Sequence, residues 1–130
     1  GQEFALWRGP DGGIACVSNI CVHRGGALGR GNVKDGRIAC PYHGWEFGAD
    51  GRCRKIPSLG LEANIPSRAR VDAYPVQCRY GMVWVFLGDL PEAERPPVPD
   101  CFDGVFGAPG WRTIHGRFDY KANWQRVTEN

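Results

Sequence analysis

Hydrophobic and polar residues alternate in short segments over most of the chain, and glycine-rich turns separate these segments. "FALWR" (4–8) and "IACVS" (14–18) flank "GPDGG", whose residues accept the backbone angles of a tight turn. "GNVKDGRIAC" and "WEFGADGRCRKI" repeat the arrangement, each with an Asp-Gly pair between two apolar runs. The pattern therefore predicts three antiparallel hairpins in the first half of the chain.

The second half is less regular. "LGLEANIPSR" predicts a surface loop, and "RVDAYPVQCRY" and "GMVWVFLG" predict two longer strands joined near Tyr80 and Gly81. "LPEAERPPVPD" is typical of a proline-stiffened connector. Beyond it, "GWRTIHGRFDYKANW" alternates like a strand, and "QRVTEN" predicts the start of a helix. We therefore expect two parts, residues 1–99 and residues 100–130.

Composition supports a mostly β fold. Nineteen glycines and ten prolines in 130 residues leave little room for long helices. The formal charge is only +2, with Lys and Arg scattered, so we expect no nucleic-acid partner. No apolar run approaches the roughly 18 residues that cross a bilayer, so we expect no membrane partner. The chain opens in the middle of a strand pattern, which predicts a truncated N-terminus.

Two short segments each pair a cysteine with a histidine. Cys21 and His23 form C-x-H, sixteen residues follow, and Cys40 and His43 form C-x-x-H. Zinc accepts thiolates and imidazoles, but its usual sites pair cysteine with cysteine in one knuckle. A [2Fe–2S] cluster of the Rieske kind takes two thiolates on one iron and two imidazoles on the other. Because each segment supplies one cysteine and one histidine, the pattern favours the cluster. The alternatives are a zinc site, or buried thiols beside incidental histidines.

The surrounding motifs carry a family resemblance. C-x-H-R-G-x-x-L-x-x-G at 21–31 and C-P-Y-H-G-W-x-F at 40–47 resemble the Rieske domain of ring-hydroxylating non-haem iron oxygenases. The resemblance extends over residues 4–99 and implies an antiparallel β-sandwich with two ligand loops at its tip. It also implies that Cys21 and Cys40 bind the inner iron, and that His23 and His43 bind the outer iron near the surface.

Six neighbours of the ligands are candidates for tuning the cluster. The glycines allow backbone N–H groups to approach the bridging sulfides, which would set the potential, although ordinary turn glycines are the alternative. The aromatic residues would shield the cluster from water, although plain core packing explains them equally well. The cation in the first loop matches the family but could equally be solvated. These residues are Arg24, Gly25, Gly26, Tyr42, Gly44 and Trp45.

Four further cysteines, Cys16, Cys53, Cys78 and Cys101, show no second metal pattern. We expect reduced structural thiols and a reducing cytoplasm, with a Cys16–Cys53 bridge as the alternative. Respiratory relatives carry an extra cysteine in each ligand loop, where this chain has Gly26 and Tyr42. The disulfide that joins those cysteines cannot form here, which predicts a potential at the low end of the Rieske range.

A mononuclear oxygen-activating iron needs two histidines and a carboxylate. The chain has three histidines, and the cluster takes two, which leaves His115 alone. Yet "ANWQRVTEN" resembles the N-W-K-x-x-x-E-N segment that opens the catalytic domain of these oxygenases, with Gln125 in place of lysine and Asn130 at the end. We therefore expect residues 100–130 to begin a catalytic domain, and we expect mononuclear Fe(II) only in its missing part.

The resemblance implies an electron-relay function within a monooxygenase or dioxygenase, with a ferredoxin or flavin reductase as donor. It further implies a homotrimer in which one histidine ligand passes electrons toward the mononuclear iron of an adjacent subunit. The alternative is a free-standing Rieske ferredoxin without catalysis of its own. Arg52, Arg54 and Lys55 form the densest basic group, either a docking site for an acidic ferredoxin or a solvated turn.

Overall fold

The structure, a computed structural model, describes residues 1–60 and 64–129. It divides into two units, one from Gly1 to Val98 and one that begins at Pro99. Part of the loop predicted for "LGLEANIPSR", residues 61–63, lies outside the described residues, and so does Asn130 of the predicted catalytic-domain segment. That the second unit opens a catalytic domain stays a prediction.

Short antiparallel strands make up the first unit, which confirms the mostly β prediction. Among the described residues these strands are β1 Phe4–Arg8, β2 Ile14–Ser18, β3 Asn32–Lys34, β4 Arg37–Ala39, β5 Glu46–Phe47, β6 Cys53–Lys55, β7 Ala73–Tyr74, β8 Val76–Arg79 and β9 Met82–Val85. Their order is β1-β2-β7 in one sheet, β3-β4-β5-β6 in a second and β8-β9 in a two-stranded ribbon.

All three predicted hairpins are confirmed. β1 pairs with β2, β3 with β4, and β5 with β6, each pair antiparallel. The β3–β4 turn places Asp35 at φ 47° and Gly36 at φ 75°, the positive angles that an Asp-Gly hairpin turn uses. Each hairpin is short, so its stability depends on the core that it covers.

The strand predicted for "RVDAYPVQCRY" divides at Pro75. Ala73 and Tyr74 pair with β2, whereas Val76 to Arg79 pair with β9. Proline has no N–H to donate to a ladder, so a continuous strand cannot keep one partner through it. The predicted turn at Tyr80 and Gly81 is confirmed, with both residues at positive φ.

One hydrophobic core joins the two larger sheets and lies beneath the cysteine-histidine segments. Val17 of β2, Phe47 of β5 and Leu28 of a short 3₁₀ turn are each 0% exposed. Burying a side chain of this size contributes roughly 1.5–3 kcal/mol. Trp7 of β1 adds a bond between hairpins, because its indole N–H donates to the carbonyl of Gly36 at 2.9 Å.

The second unit differs from its prediction. The alternating segment "GWRTIHGRFDY" forms no strand in the described structure, and its residues are exposed. A strand needs a hydrogen-bonding partner, and alternation alone does not supply one. The predicted helix is present as α1, Trp124–Thr128, and the Asn123 side chain accepts from the N–H of Gln125 to cap it. Among the described residues, no helix has the length and apolar character that a membrane crossing requires.

Candidate metal centre

Loop 1 (residues 21–26) and loop 2 (residues 40–45) carry the four predicted ligands. Each loop is bounded by two residues that pair with each other in antiparallel fashion, one directly before the loop and one directly after it. Ile20 pairs with Ala27 around loop 1, and Ala39 pairs with Glu46 around loop 2. Both loops are therefore hairpin-like tips of equal length, with a cysteine as the first tip residue.

Loop 1 is closed by two backbone hydrogen bonds. The N–H of Cys21 donates to the carbonyl of Gly26 at 2.9 Å, and the N–H of Gly25 donates to the carbonyl of Cys21 at 2.8 Å. Gly25 has φ +72°, an angle that a residue with a side chain rarely adopts. This closure fixes the direction in which the loop presents its side chains.

Loop 2 repeats both bonds. The N–H of Cys40 donates to Trp45 O at 2.8 Å, and the N–H of Gly44 donates to Cys40 O at 2.9 Å. Gly44 has φ +71°, the counterpart of Gly25. The N–H groups of these two glycines thus close the turns, and the prediction that the glycines let backbone N–H groups approach the bridging sulfides stays a prediction.

The four ligand side chains form a buried pair and an exposed pair. Cys21 and Cys40 are 2% and 4% exposed, and the two thiols are within hydrogen-bonding reach of each other. His23 and His43 are exposed, with ring centroids 4.7 Å apart. The loops therefore place two sulfurs toward the core and two imidazoles toward the surface.

The protonation states of the free side chains follow from this placement. Burial raises the pKa of the Cys21 thiol to about 11, against the opposing effect of the backbone N–H groups of His23 and Arg24 that point at its sulfur. Partial desolvation, with the charges of His43 and Arg24, lowers the pKa of His23. A neutral imidazole is the form that binds metals, and a metal displaces the proton of a thiol that coordinates it.

The residues present fit a [2Fe–2S] cluster. In the described part of the chain, no group of three or more His, Cys, Asp or Glu side chains is arranged to hold a single ion. A pair of thiols behind a pair of imidazoles matches a cluster in which each iron takes two protein ligands. The backbone also leaves room at the sulfur, because a Cβ at Gly26 would lie 2.9 Å from Cys40 Sγ.

Aromatic side chains lie against both histidines. The indole of Trp45, from loop 2, stacks on His23 of loop 1 with centroids 4.5 Å apart and planes within 6°. Tyr42 lies 3.9 Å from His43 between ring centroids but is 65% exposed, so it shields that imidazole on one face only. Arg24 is exposed.

Glu46, which the sequence analysis did not single out, anchors the end of loop 2. Its side chain is only 5% exposed and lies 3.5 Å from Arg37 Nε and 3.3 Å from Lys55 Nζ. A buried carboxylate between two cations holds β4, β5 and β6 together directly beside the loop. Its signal in the sequence was a carboxylate between two aromatic residues, Trp45 and Phe47.

Asn19 supports loop 1 and was also missed. Its side-chain Oδ1 accepts from the N–H of Gly29 at 2.7 Å, and its Nδ2 donates to Glu3 at 2.8 Å. Its carbonyl accepts from the N–H of Leu28 at 2.8 Å. This one residue therefore connects the start of loop 1 with the turn that follows it.

All six cysteines are free in the structure, so no bridge joins Cys16 to Cys53. Both are buried, and burial raises the pKa of both thiols. Cys78 and Cys101 are exposed. His115, the third histidine, is exposed in the second unit and lies outside any described strand.

Comparisons with curated proteins find oxygenases. "Chlorophyllide a oxygenase, chloroplastic" of Arabidopsis thaliana is 42% identical over 96 residues, which cover 74% of this chain and 17% of that protein. The putative toluene-4-sulfonate monooxygenase system iron-sulfur subunit TsaM2 of Comamonas testosteroni is 36% identical over 129 residues, which cover 99% of this chain and 36% of that protein. The chain thus spans about a third or less of these relatives' lengths.

Solved structures and protein families agree with this result. The crystal structure of apo dicamba monooxygenase matches with a TM-score of 0.64 and 35% identity over 74% of this chain and 30% of that one. This match supports the predicted Rieske-type β fold. The Rieske [2Fe-2S] domain matches residues 1–75, more than half of the sequence. The chain therefore belongs to the Rieske [2Fe–2S] domain family.

Proposed function

We propose that this chain is the electron-relay domain of a Rieske-type oxygenase. Cys21 and Cys40 hold the inner iron of a [2Fe–2S] cluster, and His23 and His43 hold the outer iron. The observation that carries the proposal is the buried pair of thiols behind an exposed pair of imidazoles. Inner thiolates secure the cluster, while outer imidazoles leave one of its edges accessible to redox partners.

The chain's own residues prepare the site for one-electron chemistry. When bound, the cluster takes up and releases one electron at a time. The backbone N–H groups of His23 and Arg24 donate toward the sulfur of Cys21 and so stabilise its thiolate. Trp45 covers one face of His23 and limits the orientations of that imidazole. Both histidine rings remain exposed, so each can serve as an entry or exit for electrons.

The oxygen-activating step belongs to another part of the full-length protein. This chain has three histidines, and with two of them on the cluster no two-histidine, one-carboxylate triad can form. One relative that aligns over 99% of the chain, beyond the Rieske match at 1–75, is named as a putative monooxygenase system subunit. We therefore propose that residues 100–130 open a catalytic domain, which holds mononuclear Fe(II) in a homotrimer.

A ferredoxin or a flavin reductase is the proposed electron donor. A single-electron carrier matches the capacity of one [2Fe–2S] cluster. The six free cysteines suit a reducing compartment, and we propose the cytoplasm. Several relatives are named as chloroplastic, so the compartment is to be tested on the full-length protein.

A free-standing Rieske ferredoxin is the second candidate. The buried core lies entirely between Ala5 and Val71 in the described residues, so the cluster domain has a core of its own. Against it, the similarity to TsaM2 continues through the second unit. Expression of the parent gene's full product separates the two candidates, because a carrier would bind no second type of iron.

The cluster itself is tested by low-temperature EPR of the dithionite-reduced chain. We expect a red-brown protein with equal amounts of iron and acid-labile sulfide, and an EPR signal of mixed histidine and cysteine ligation. A colourless zinc protein, or a signal of all-cysteine ligation, would overturn the proposal. Serine substitutions at Cys78 or Cys101, which are exposed and are not part of loop 1 or loop 2, provide the matched control and should leave the signal unchanged.

A further inference from the structure

Four arginines surround one surface groove in the first unit. The groove has a volume of about 480 Å³, and Arg52, Arg54, Arg68 and Arg70 are among the residues that line it. All four are exposed. We call the surface that these four residues form the arginine groove. The predicted basic group contained only Arg52 and Arg54 of these four, together with Lys55.

The backbone holds these arginines on a rigid support. Arg52 and Arg70 face each other in an antiparallel bridge, and the N–H of Cys53 donates to the carbonyl of Ala69 at 2.8 Å. Buried Cys53 and Ala69 alternate with the exposed arginines. The two segments therefore present their cations on one face and their apolar side chains to the core.

The positive charge of the groove is only partly neutralised. Asp50 lies 2.5 Å from Arg54 and 3.8 Å from Arg52, so one carboxylate serves two guanidinium groups. Arg68 and Arg70 make no ion pair with the carboxylates of residues 1–60 and 64–129. Lys55, in contrast, is engaged by buried Glu46. Counted over the described residues, the groove thus carries an excess of cations.

The arginine groove adjoins the exposed edge of the candidate metal centre. Arg68 also lines a second cavity, of about 420 Å³, together with His23 and Trp45. Val22, Ile56 and Leu59 make much of that cavity apolar. A protein that binds to the arginines would therefore also contact an apolar surface and the predicted ligand His23.

We propose that the arginine groove is the docking surface for an acidic electron-transfer protein, which delivers electrons beside His23. This inference rests on the proposed function, because it needs a cluster between the loops. Complementary charge raises the encounter rate of two redox proteins and orients them, and an adjoining apolar surface allows close approach at the redox centre. A cationic rim next to an apolar patch at His23 provides both features.

The test measures electron transfer from a reduced plant-type [2Fe–2S] ferredoxin, an acidic protein of low potential, to the oxidised 130-residue chain. Stopped-flow absorbance gives the second-order rate constant at low and at high salt. For the unmodified chain we expect the rate to fall on the order of tenfold or more as salt rises. For Arg68→Glu with Arg70→Glu we expect a loss of similar size at low salt and a nearly flat salt dependence.

The matched control is Arg8→Glu with Lys34→Glu. It makes the same change in net charge at two exposed residues beside the hairpin turns, which lie at the opposite ends of their strands from the ligand loops. The control rate should stay within about twofold of the unmodified chain. Arg68→Lys with Arg70→Lys, which keeps the charge, should do the same. Absorption spectrum and reduction potential are measured for each variant, so that a lost cluster or an altered driving force is not mistaken for lost docking.

The outcomes separate the docking surface from the proposed function. Equal rates for the groove variant and the control, with the cluster intact, would overturn the docking surface and leave the electron-relay function standing. A chain that forms no cluster would overturn both. Binding of a labelled DNA oligonucleotide through Arg68 and Arg70, with no effect of these residues on the ferredoxin rate, would assign the groove to nucleic acid and also overturn the inference.

Discussion

Loop 1 and loop 2 close their backbones with the same pair of hydrogen bonds but rest on different supports. Loop 1 is flanked by a single bridge between Ile20 and Ala27 and is fastened by the amide of Asn19. Loop 2 continues into β4 and β5 and is fastened by buried Glu46. The two loops thus share one backbone geometry. Loop 1 is supported by a polar side-chain contact near the surface, and loop 2 by a sheet that contains a buried charge.

The difference shows where each loop is vulnerable. A surface amide bond contributes modestly and can be replaced by water. Removal of the buried carboxylate of Glu46 takes away the carboxylate that pairs with Lys55 and leaves Arg37 with only the exposed Asp35, 3.7 Å away. The tips should therefore respond alike to substitution, whereas the supports should respond differently.

The largest expected effect tests whether loop 1 and loop 2 contribute equally to binding the cluster. His23→Ala and His43→Ala should each reduce bound iron and visible absorption by about tenfold or more, because each removes half of the outer-iron ligation. His115→Ala is the control, since that histidine lies in the second unit, and it should retain full absorption. Full cluster content in either loop variant would contradict the ligand assignment, and loss in only one would break the equivalence of the tips.

Substitutions of the two loop 1 glycines test how much space lies beside the cysteine sulfur and how much the positive φ of the turn costs. Gly26→Ala would place a Cβ 2.9 Å from Cys40 Sγ, across the gap between the loops, so we expect cluster content to fall severalfold. Gly25→Ala meets open space but keeps φ at +72°, so it should cost about 1 kcal/mol of stability and load normally. Iron analysis and urea unfolding measure the two effects. A normal cluster content in Gly26→Ala would show that the space beside Cys40 Sγ can accommodate a Cβ.

The supports are compared by Glu46→Gln and Asn19→Ala. Glu46→Gln should lower the free energy of unfolding by about 2 kcal/mol, discounted because Arg37 and Lys55 are 32% and 40% exposed and can turn to water. Asn19→Ala should cost about 1 kcal/mol, since its contacts are exposed. Urea unfolding of both variants gives the order. A larger loss for Asn19→Ala would reverse the ranking of the two supports.

The smallest effect concerns the buried thiols beneath the loops, Cys16 in β2 and Cys53 in β6. Burial raises the pKa of each, so above the ordinary thiol pKa of about 9 the unfolded chain loses these protons first and the folded state loses stability. Cys53→Ala should flatten the fall in unfolding free energy between about pH 8 and pH 10 by a few tenths of a kcal/mol. Exposed Cys78→Ala should leave the slope unchanged, and an equal change in both variants would exclude burial as the cause.

Local turn chemistry made much of the first unit predictable. Asp35 with Gly36 marks a hairpin turn because few other residue pairs accept two successive positive φ angles, and at the turn after Asp50 the positive φ falls on Gly51. The ligand loops were predicted from the types and spacing of their donors. The structure brings all four donors together at two neighbouring tips, and their metal ligation stays a prediction.

Features that depend on distant partners were not predictable. The alternation of residues 111–120 indicated a strand, yet nothing in a sequence window reveals whether a neighbouring strand exists. The role of Glu46 depends on Arg37 and Lys55, which reach it from two other strands. The arginine groove likewise joins two segments that residues 56–67 separate in the sequence.

The stack of Trp45 on His23 has a consequence for attempts to move this site into another protein. A side chain from one tip serves as the wall for a ligand from the other. Grafting a single tip onto a new scaffold would leave its imidazole without that wall, or the indole without a surface to cover. The smallest transplantable unit is therefore both tips together, with their mutual spacing preserved.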